Sequence, residues 1–214
     1  MARIIDLTLT VQPGMRGVEF EVFHTLEKDG WNAQILHLYS HCGTHMDAPV
    51  HCGLNGETID AIALETCIRP VWVVDLIGIQ PRALILVEHL GTIAEKVQTG
   101  EGLLLETGWS ARISQPDYRT EAPRVSLELA EWCVDRRIAV LGVEPPSVAD
   151  VNNIEELKAV HRTLLEAGIV VVEGLTNLGA IAQEKVTFLA IPLKIAEGDG
   201  SPVRAFAIEG RLGL

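Results

Sequence analysis

Apolar residues fall along this chain in short runs, most of them broken by Gly or Pro, and the spacing within each run separates strands from helices. Residues 4–9 read as a strand. Residues 33–40 alternate, with Ala33, Ile35, His37 and Tyr39 on one face and Gln34, Leu36 and Leu38 on the other. The flanking Trp31-Asn32 and Cys42-Gly43 make this a strand that feeds a tight loop. Residues 70–77, built around Val71-Trp72-Val73-Val74, read as a buried strand, as do residues 102–106, 138–143 and 169–173, with two more at 186–191 and 203–208. Helical spacing lies between them. Residues 87–97 carry it at Val87, Leu90, Ile93, Ala94 and Val97. A second helix begins after Ser126, a residue suited to cap it, with Glu128 and Glu131 early in the helix. Residues 154–167 give the clearest helical pattern, a stripe of Leu157, Val160, Leu164 and Leu165 stopped by Gly168. Strands outnumber helices and the order is not strictly βαβ. The expectation is an α/β domain with a mixed sheet or barrel-like core.

The chain's 214 residues suffice for one sizeable core, and a single domain over 1–214 is expected. Hydrophobic residues make up 48%, enough for a folded globular protein. A formal net charge of −12 argues against a nucleic-acid partner, which needs a basic footprint. No apolar run approaches the roughly 20 residues of a membrane span, and the first residues lack the apolar region of a signal peptide. Four cysteines without a CxxC pair fit a reducing compartment, so a cytoplasmic location is expected.

Chemistry concentrates in His41-Cys42-Gly43-Thr44-His45-Met46-Asp47-Ala48-Pro49-Val50-His51. Two imidazoles and a carboxylate, His41, His45 and Asp47, form a common donor set for a first-row divalent metal, and three protein ligands leave a position for water. On an extended segment His45, Asp47 and Pro49 share one face. Gly43 lets the chain bend so that His41 joins them, and Pro49 stiffens the exit. The opposing reading is a set of histidines that merely hydrogen-bond in the core or at the surface. His161 and Glu173 form a second pair, brought together by helix, Gly168 turn and strand. Alone, His161 could equally be a core histidine bonded to a backbone carbonyl, and Glu173 a solvated strand end. Cys42 and Cys52 read as small packing residues. Trp109 either lines a pocket or packs.

The segment resembles the H-x-G-T-H-x-D-A-P-x-H signature of the Putative cyclase family, which includes bacterial kynurenine formamidase and isatin hydrolase; His41, Gly43, Thr44, His45, Asp47, Ala48, Pro49 and His51 all match. The likeness extends to Ile5-Asp6-Leu7-Thr8, Thr107-Gly108-Trp109, Gly142 to Ser147, His161 to Glu173, Asn177-Leu178, Leu193-Lys194 and Ser201 to Arg204. It implies a swivelling β/β/α-type fold, mostly β with flanking helices, in a homo-oligomer, dimer or tetramer. It also implies a metal on His41, His45 and Asp47, with Asp47 bridging to a second metal held by His161 and Glu173, or a single manganese as in the isatin hydrolase branch. Zinc is the expected ion and manganese the alternative, one or two per chain. His51 is implied as proton shuttle, against a role in orienting a ligand by a hydrogen bond. Glu173 would ligate metal or orient water. The implied activity is hydrolysis of a small amide, an aryl formamide of the N-formylkynurenine kind. The alternatives are an isatin-type lactam or lactone hydrolase and a protein that binds metal or small carboxylates without turnover. A purely structural metal site is disfavoured because no closed four-ligand set is evident. Two stretches depart from the pattern: Gln12 to Val18 lacks the family's acidic residue and tryptophan, and Glu144 stands in place of an Asp.

Overall fold

Residues 2–52 and 56–210 are described by the computed structural model, so Met1 and residues 53–55 and 211–214 of the expected domain lie outside it. Strand β1 (Arg3–Asp6) precedes a hairpin of β2 (Val18–His24) and β3 (Ala33–Leu38), with one helical turn, α1 (Leu26–Asp29), between them. Then come β4 (His45–Asp47), β5 (Ile68–Asp75), β6 (Leu84–Ile85), α2 (Ile93–Lys96), β7 (Gly102–Glu106) and β8 (Arg124–Val125). The chain continues through α3 (Leu127–Asp135), β9 (Val140–Val143), α4 (Ile154–Glu166), β10 (Val170–Glu173), β11 (Lys185–Pro192) and β12 (Gly200–Glu209).

The main sheet runs β1-β12-β11-β5-β7-β9-β10-β4, and β12 also pairs with β4. That last pairing closes seven strands into a barrel, as the barrel-like expectation required. The central strands β5, β7, β9 and β10 are parallel, and β4, β11 and β12 join antiparallel. Alternation sorts side chains to the two faces. Val71, Leu104, Val140, Val170 and Val172 point into the barrel with Met46 and Phe188. Leu103, Leu105, Leu141 and Val171 point outward, where α3 and α4 cover them. Strands buried on both faces read as unbroken apolar runs, which is how β7 and β10 look in the sequence.

Ser126 caps α3 by accepting from the Leu129 N–H at 3.0 Å. Asn153 caps α4 in the same way, and Gly168 follows that helix at φ +74°. Val160, His161, Leu164 and Leu165 form the buried stripe of α4, while Leu157 packs at its margin. The helix expected over residues 87–97 is not continuous. A 3₁₀ turn, Val87–Leu90, ends at Gly91 with φ 52° and ψ −133°, and α2 begins afresh at Ile93. The apolar spacing survives because both pieces rest on the same core, but the glycine breaks the hydrogen-bond ladder. Among the described residues, no helix is long and apolar enough to cross a membrane.

Candidate metal centre

The six residues singled out in the sequence meet on the outer face of the β4–β10 ladder. Glu173 pairs with His45 and Val171 with Asp47, so these side chains share one face while Met46 and Val172 share the other. Met46 and Val172 fill the barrel, which drives His45 and Asp47 outward, beneath α4. His161 points down from α4 and is 2% exposed; Asp47 is 1% exposed and Glu173 3%. On the other edge of β4, Gly200 pairs with Asp47. A Cβ at Gly200 would lie 2.7 Å from Cε1 of His41, so glycine leaves the room that the His41 ring occupies.

The approach to β4 is held by backbone chemistry. Gly43 takes φ +61°, which bends the chain between His41 and His45 as expected. Gly174 takes φ +66°, and a Cβ there would fall 2.4 Å from the Gly43 carbonyl. Thr44 Oγ1 donates to the Gly174 carbonyl at 2.5 Å and accepts from the Leu9 N–H at 2.9 Å. The signature Gly-Thr thus clips the loop to β10 and to the N-terminal strand.

Distances within the cluster are short. His41 Nδ1 donates to Asp47 Oδ1 at 2.8 Å, and its Nε2 meets Asp199 Oδ2 at 3.1 Å. His45 Nε2 lies 3.2 Å from Glu173 Oε2 and 3.7 Å from Asp47 Oδ1. His161 Nε2 lies 3.3 Å from Glu173 Oε1 and 3.6 Å from Asp47 Oδ2. In both of the last two histidines Nδ1 faces a backbone carbonyl, Gly43 for His45 and Leu157 for His161. That bond fixes the ring and turns Nε2 inward, as metal-binding histidines are commonly held. The carbonyl bond foreseen for His161 is therefore present, together with the carboxylate contacts. Glu173 Oε1 also accepts from the Val148 N–H at 2.7 Å.

Charge is shared unevenly. Burial alone would lower the pKa of His161, but the Glu173 hydrogen bond and the charges of Glu173 and Asp47 lift it to about 9. His45 and His41 are raised against burial in the same way, His45 by Glu173 and His41 by Asp47 and Asp199. Burial pushes Glu173 up, yet His161 and His45 hold it well below the ordinary carboxylate range. His51 moves the other way: burial and the neighbouring His41 and His161 charges lower it, despite Asp47 and Glu173.

Asp47 Oδ2 is buried and has no hydrogen-bond partner among the described residues. A buried, unpaired carboxylate oxygen is costly unless something positive meets it. Ligand atoms of His41, His45 and Asp47 lie within 4.8 Å of one another, as do those of Asp47, His51 and His161. Imidazole and carboxylate with no thiolate suit a divalent ion such as zinc or manganese. The residues present fit the implied metal.

Asp199 escaped the sequence reading. It bonds His41 and lies 3.8 Å from His51 Nδ1. It sits in Glu197-Gly198-Asp199-Gly200, which reads as a turn and carries no sign of the cluster. Arg16, Tyr39 and Arg119 line the cleft over the histidines and were equally silent. Glu144 is buried and serves as an anchor: it accepts from the Thr107 N–H (2.8 Å), the Gly108 N–H and Ser110 Oγ (2.8 Å). Trp109 packs, 4% exposed, and donates from Nε1 to the Tyr118 carbonyl. Cys42 is buried, as a packing residue would be, and Cys52 half-buried.

A family model described as Putative cyclase matches residues 5–150. A protein of Salinibacter ruber named kynurenine formamidase is 30% identical over 215 residues, covering 96% of this chain and 94% of its own. Among solved structures, isatin hydrolase A from Ralstonia solanacearum superposes with a TM-score of 0.87 at 24% identity, covering 98% of this chain and 92% of its own. A structure titled as a potential metal-dependent hydrolase with cyclase activity superposes at 0.80 with 23% identity, covering 99% and 100%.

Proposed function

This chain belongs to the Putative cyclase family, and from that membership we propose that it is a metal-dependent hydrolase that opens the C–N bond of a small amide, an aryl formamide. One observation carries the reading: among the described residues the buried Asp47 Oδ2 has no hydrogen-bond partner, on a carboxylate whose two oxygens are ringed by His41, His45 and His161. His41, His45 and Asp47 would hold one ion; His161 and Glu173, with Asp47 between, would hold a second. A divalent cation held there supplies Lewis acidity, bringing water toward hydroxide near neutral pH and drawing charge from a carbonyl oxygen.

The chain's own groups do the rest. Backbone carbonyls of Gly43 and Leu157 keep His45 and His161 in one orientation. His51 stands at the rim of the cleft with its side chain 26% exposed, and its pKa lies below the ordinary 6.5, so it is mostly neutral at pH 7 and can accept a proton. Its Nδ1 faces Asp199, which leaves Nε2 to take a proton from water and return it to the departing nitrogen. Leu157 and Pro146 give that cleft an apolar side beside the histidines.

The aryl formamide reading leans on the formamidase relatives. An isatin-type lactam is the second reading, favoured by the close superposition on isatin hydrolase. The test is turnover of N-formylkynurenine and isatin by purified protein, with and without chelator, beside elemental analysis. About one or two zinc or manganese ions per chain and chelator-sensitive hydrolysis of either compound are expected. A metal-free protein that hydrolyses both at full rate would overturn the reading.

The same proposal covers a single hydrolase domain over residues 1–214 working as a homo-oligomer in the cytoplasm. Four unpaired cysteines fit a reducing compartment, and cell fractionation is the check. The β2–β3 hairpin supports oligomerisation: Val22, Phe23, Leu26, Trp31 and Leu36 are each more than half exposed. Sedimentation equilibrium should give a dimer or tetramer, and a Phe23→Glu, Leu36→Glu double variant should shift it toward monomer. A monomeric wild-type protein would exclude the assembly.

A further inference from the structure

Beside the histidine cleft opens a cavity of about 200 Å³, lined by Leu9, Met15, Ile113 and Tyr118 and, shared with the cleft, by Arg16 and Arg119. No Asp or Glu lines it. The chain has 29 acidic residues against 17 basic ones, and Arg3, Arg82, Arg112, Arg124 and Arg204 each meet a carboxylate. Arg16 and Arg119 meet none among the described residues. Instead they face one another's charge. Arg119 is half-buried; desolvation and then the Arg16 cation lower its pKa, against a smaller opposing pull from Glu173 in the adjoining cleft and from Tyr39. Two guanidinium groups brought to one small apolar cavity repel each other unless an anion joins them.

Both are positioned. The Arg16 guanidinium sits over the Tyr39 ring at 4.8 Å. Arg119 follows Tyr118, whose carbonyl accepts from Trp109 Nε1 at 2.7 Å and whose hydroxyl donates to the Glu144 carbonyl at 3.3 Å. The turn that Glu144 anchors therefore presents Arg119 to the cavity.

We infer that the substrate is an anionic amide, with an apolar body for the cavity and a carboxylate gripped by Arg16 and Arg119 while the scissile C–N bond lies over the histidine cleft. The planar guanidinium fork matches a carboxylate in two-point contact. With no acid in the lining, a substrate ammonium gains nothing there, so a simple carboxylate suits the cavity better than an amino-acid end. That the bound molecule is an amide rests on the hydrolase reading; that it is a carboxylate rests on the arginines alone.

The experiment has two arms. In the first, the metal-loaded enzyme is given 3-formamidobenzoate and the neutral 3-methylformanilide. The carboxylate should be preferred in kcat/KM at least about tenfold, and Arg16→Gln or Arg119→Gln should reduce that preference by a similar factor, chiefly through KM. Arg119→Lys should retain part of it. In the second arm, benzoate is titrated calorimetrically into chelator-treated protein, where the arginine variants should weaken binding at least about tenfold. The comparison of the two amides on unaltered enzyme needs no variant to fold. Hydrolysis of both amides at equal kcat/KM, or benzoate binding that ignores both arginines, overturns the inference and leaves the hydrolase reading standing. Arginine-dependent benzoate binding without turnover of either amide supports the inference and counts against the hydrolase reading.

Discussion

Asp47→Ala is expected to leave the purified protein without stoichiometric metal and to lower turnover by about a thousandfold or more, beyond the roughly 10–100-fold that loss of a mere orienting partner costs. Asp47 is the hub of the cluster. Its Oδ1 takes the His41 bond at 2.8 Å and lies 3.7 Å from His45, while Oδ2 faces His161. Removing it takes the sole carboxylate from the first proposed ion position and one of two from the second, leaving Glu173 between His45 and His161. Asp47→Asn keeps the volume and separates loss of charge from loss of packing. Elemental analysis beside a rate measurement checks both. An Asp47→Ala protein that retains its full metal complement would remove Asp47 from the ligand set.

His51→Ala should behave differently. Metal should stay, and kcat should fall by about 10²–10⁴-fold, the range associated with a positioned acid–base group. The pH profile carries the sign. His51 serves as base only when neutral, and its pKa lies below 6.5, so activity should fall as pH drops through that region. In the variant that acid limb should vanish while the residual rate persists. The ligand atoms of His51, Asp47 and His161 lie close together, so loss of metal in His51→Ala would make it a ligand instead of a proton carrier.

What could be read in advance was local. His41 to His51 lies within eleven consecutive residues, so spacing alone exposes the donor set, and the Gly43 bend is found where it was needed. His161 and Glu173 meet because helix, turn and strand form one hairpin-like unit with strong apolar signals. The runs of β7 and β10 announce buried strands, and the family likeness seen in the motif agrees with the match over residues 5–150. What was hidden depends on long-range pairing. Barrel closure rests on Gly200–Pro202 meeting His45–Asp47, a contact across most of the chain that no period reveals. Asp199 reaches His41 by that same closure. The hairpin strand β2 alternates Val18, Phe20 and Val22 with Glu19 and Glu21, but most of its residues are exposed or half-buried, so burial leaves no simple mark. Arg16 and Arg119 are unremarkable as letters and gain meaning only when one cavity holds both.

Strand β4 is three residues long, yet it joins β10 to β12. A segment so short contributes few ladder bonds of its own, and two of its three side chains are proposed ligands. An ion gripped by His45, Asp47 and the neighbouring histidines would act as a rivet through the seam where the cylinder shuts. Affinity for that ion and resistance of the seam to opening would then be one free energy viewed from opposite ends, so a change that loosens the grip on the ion would also loosen the last stitch of the fold.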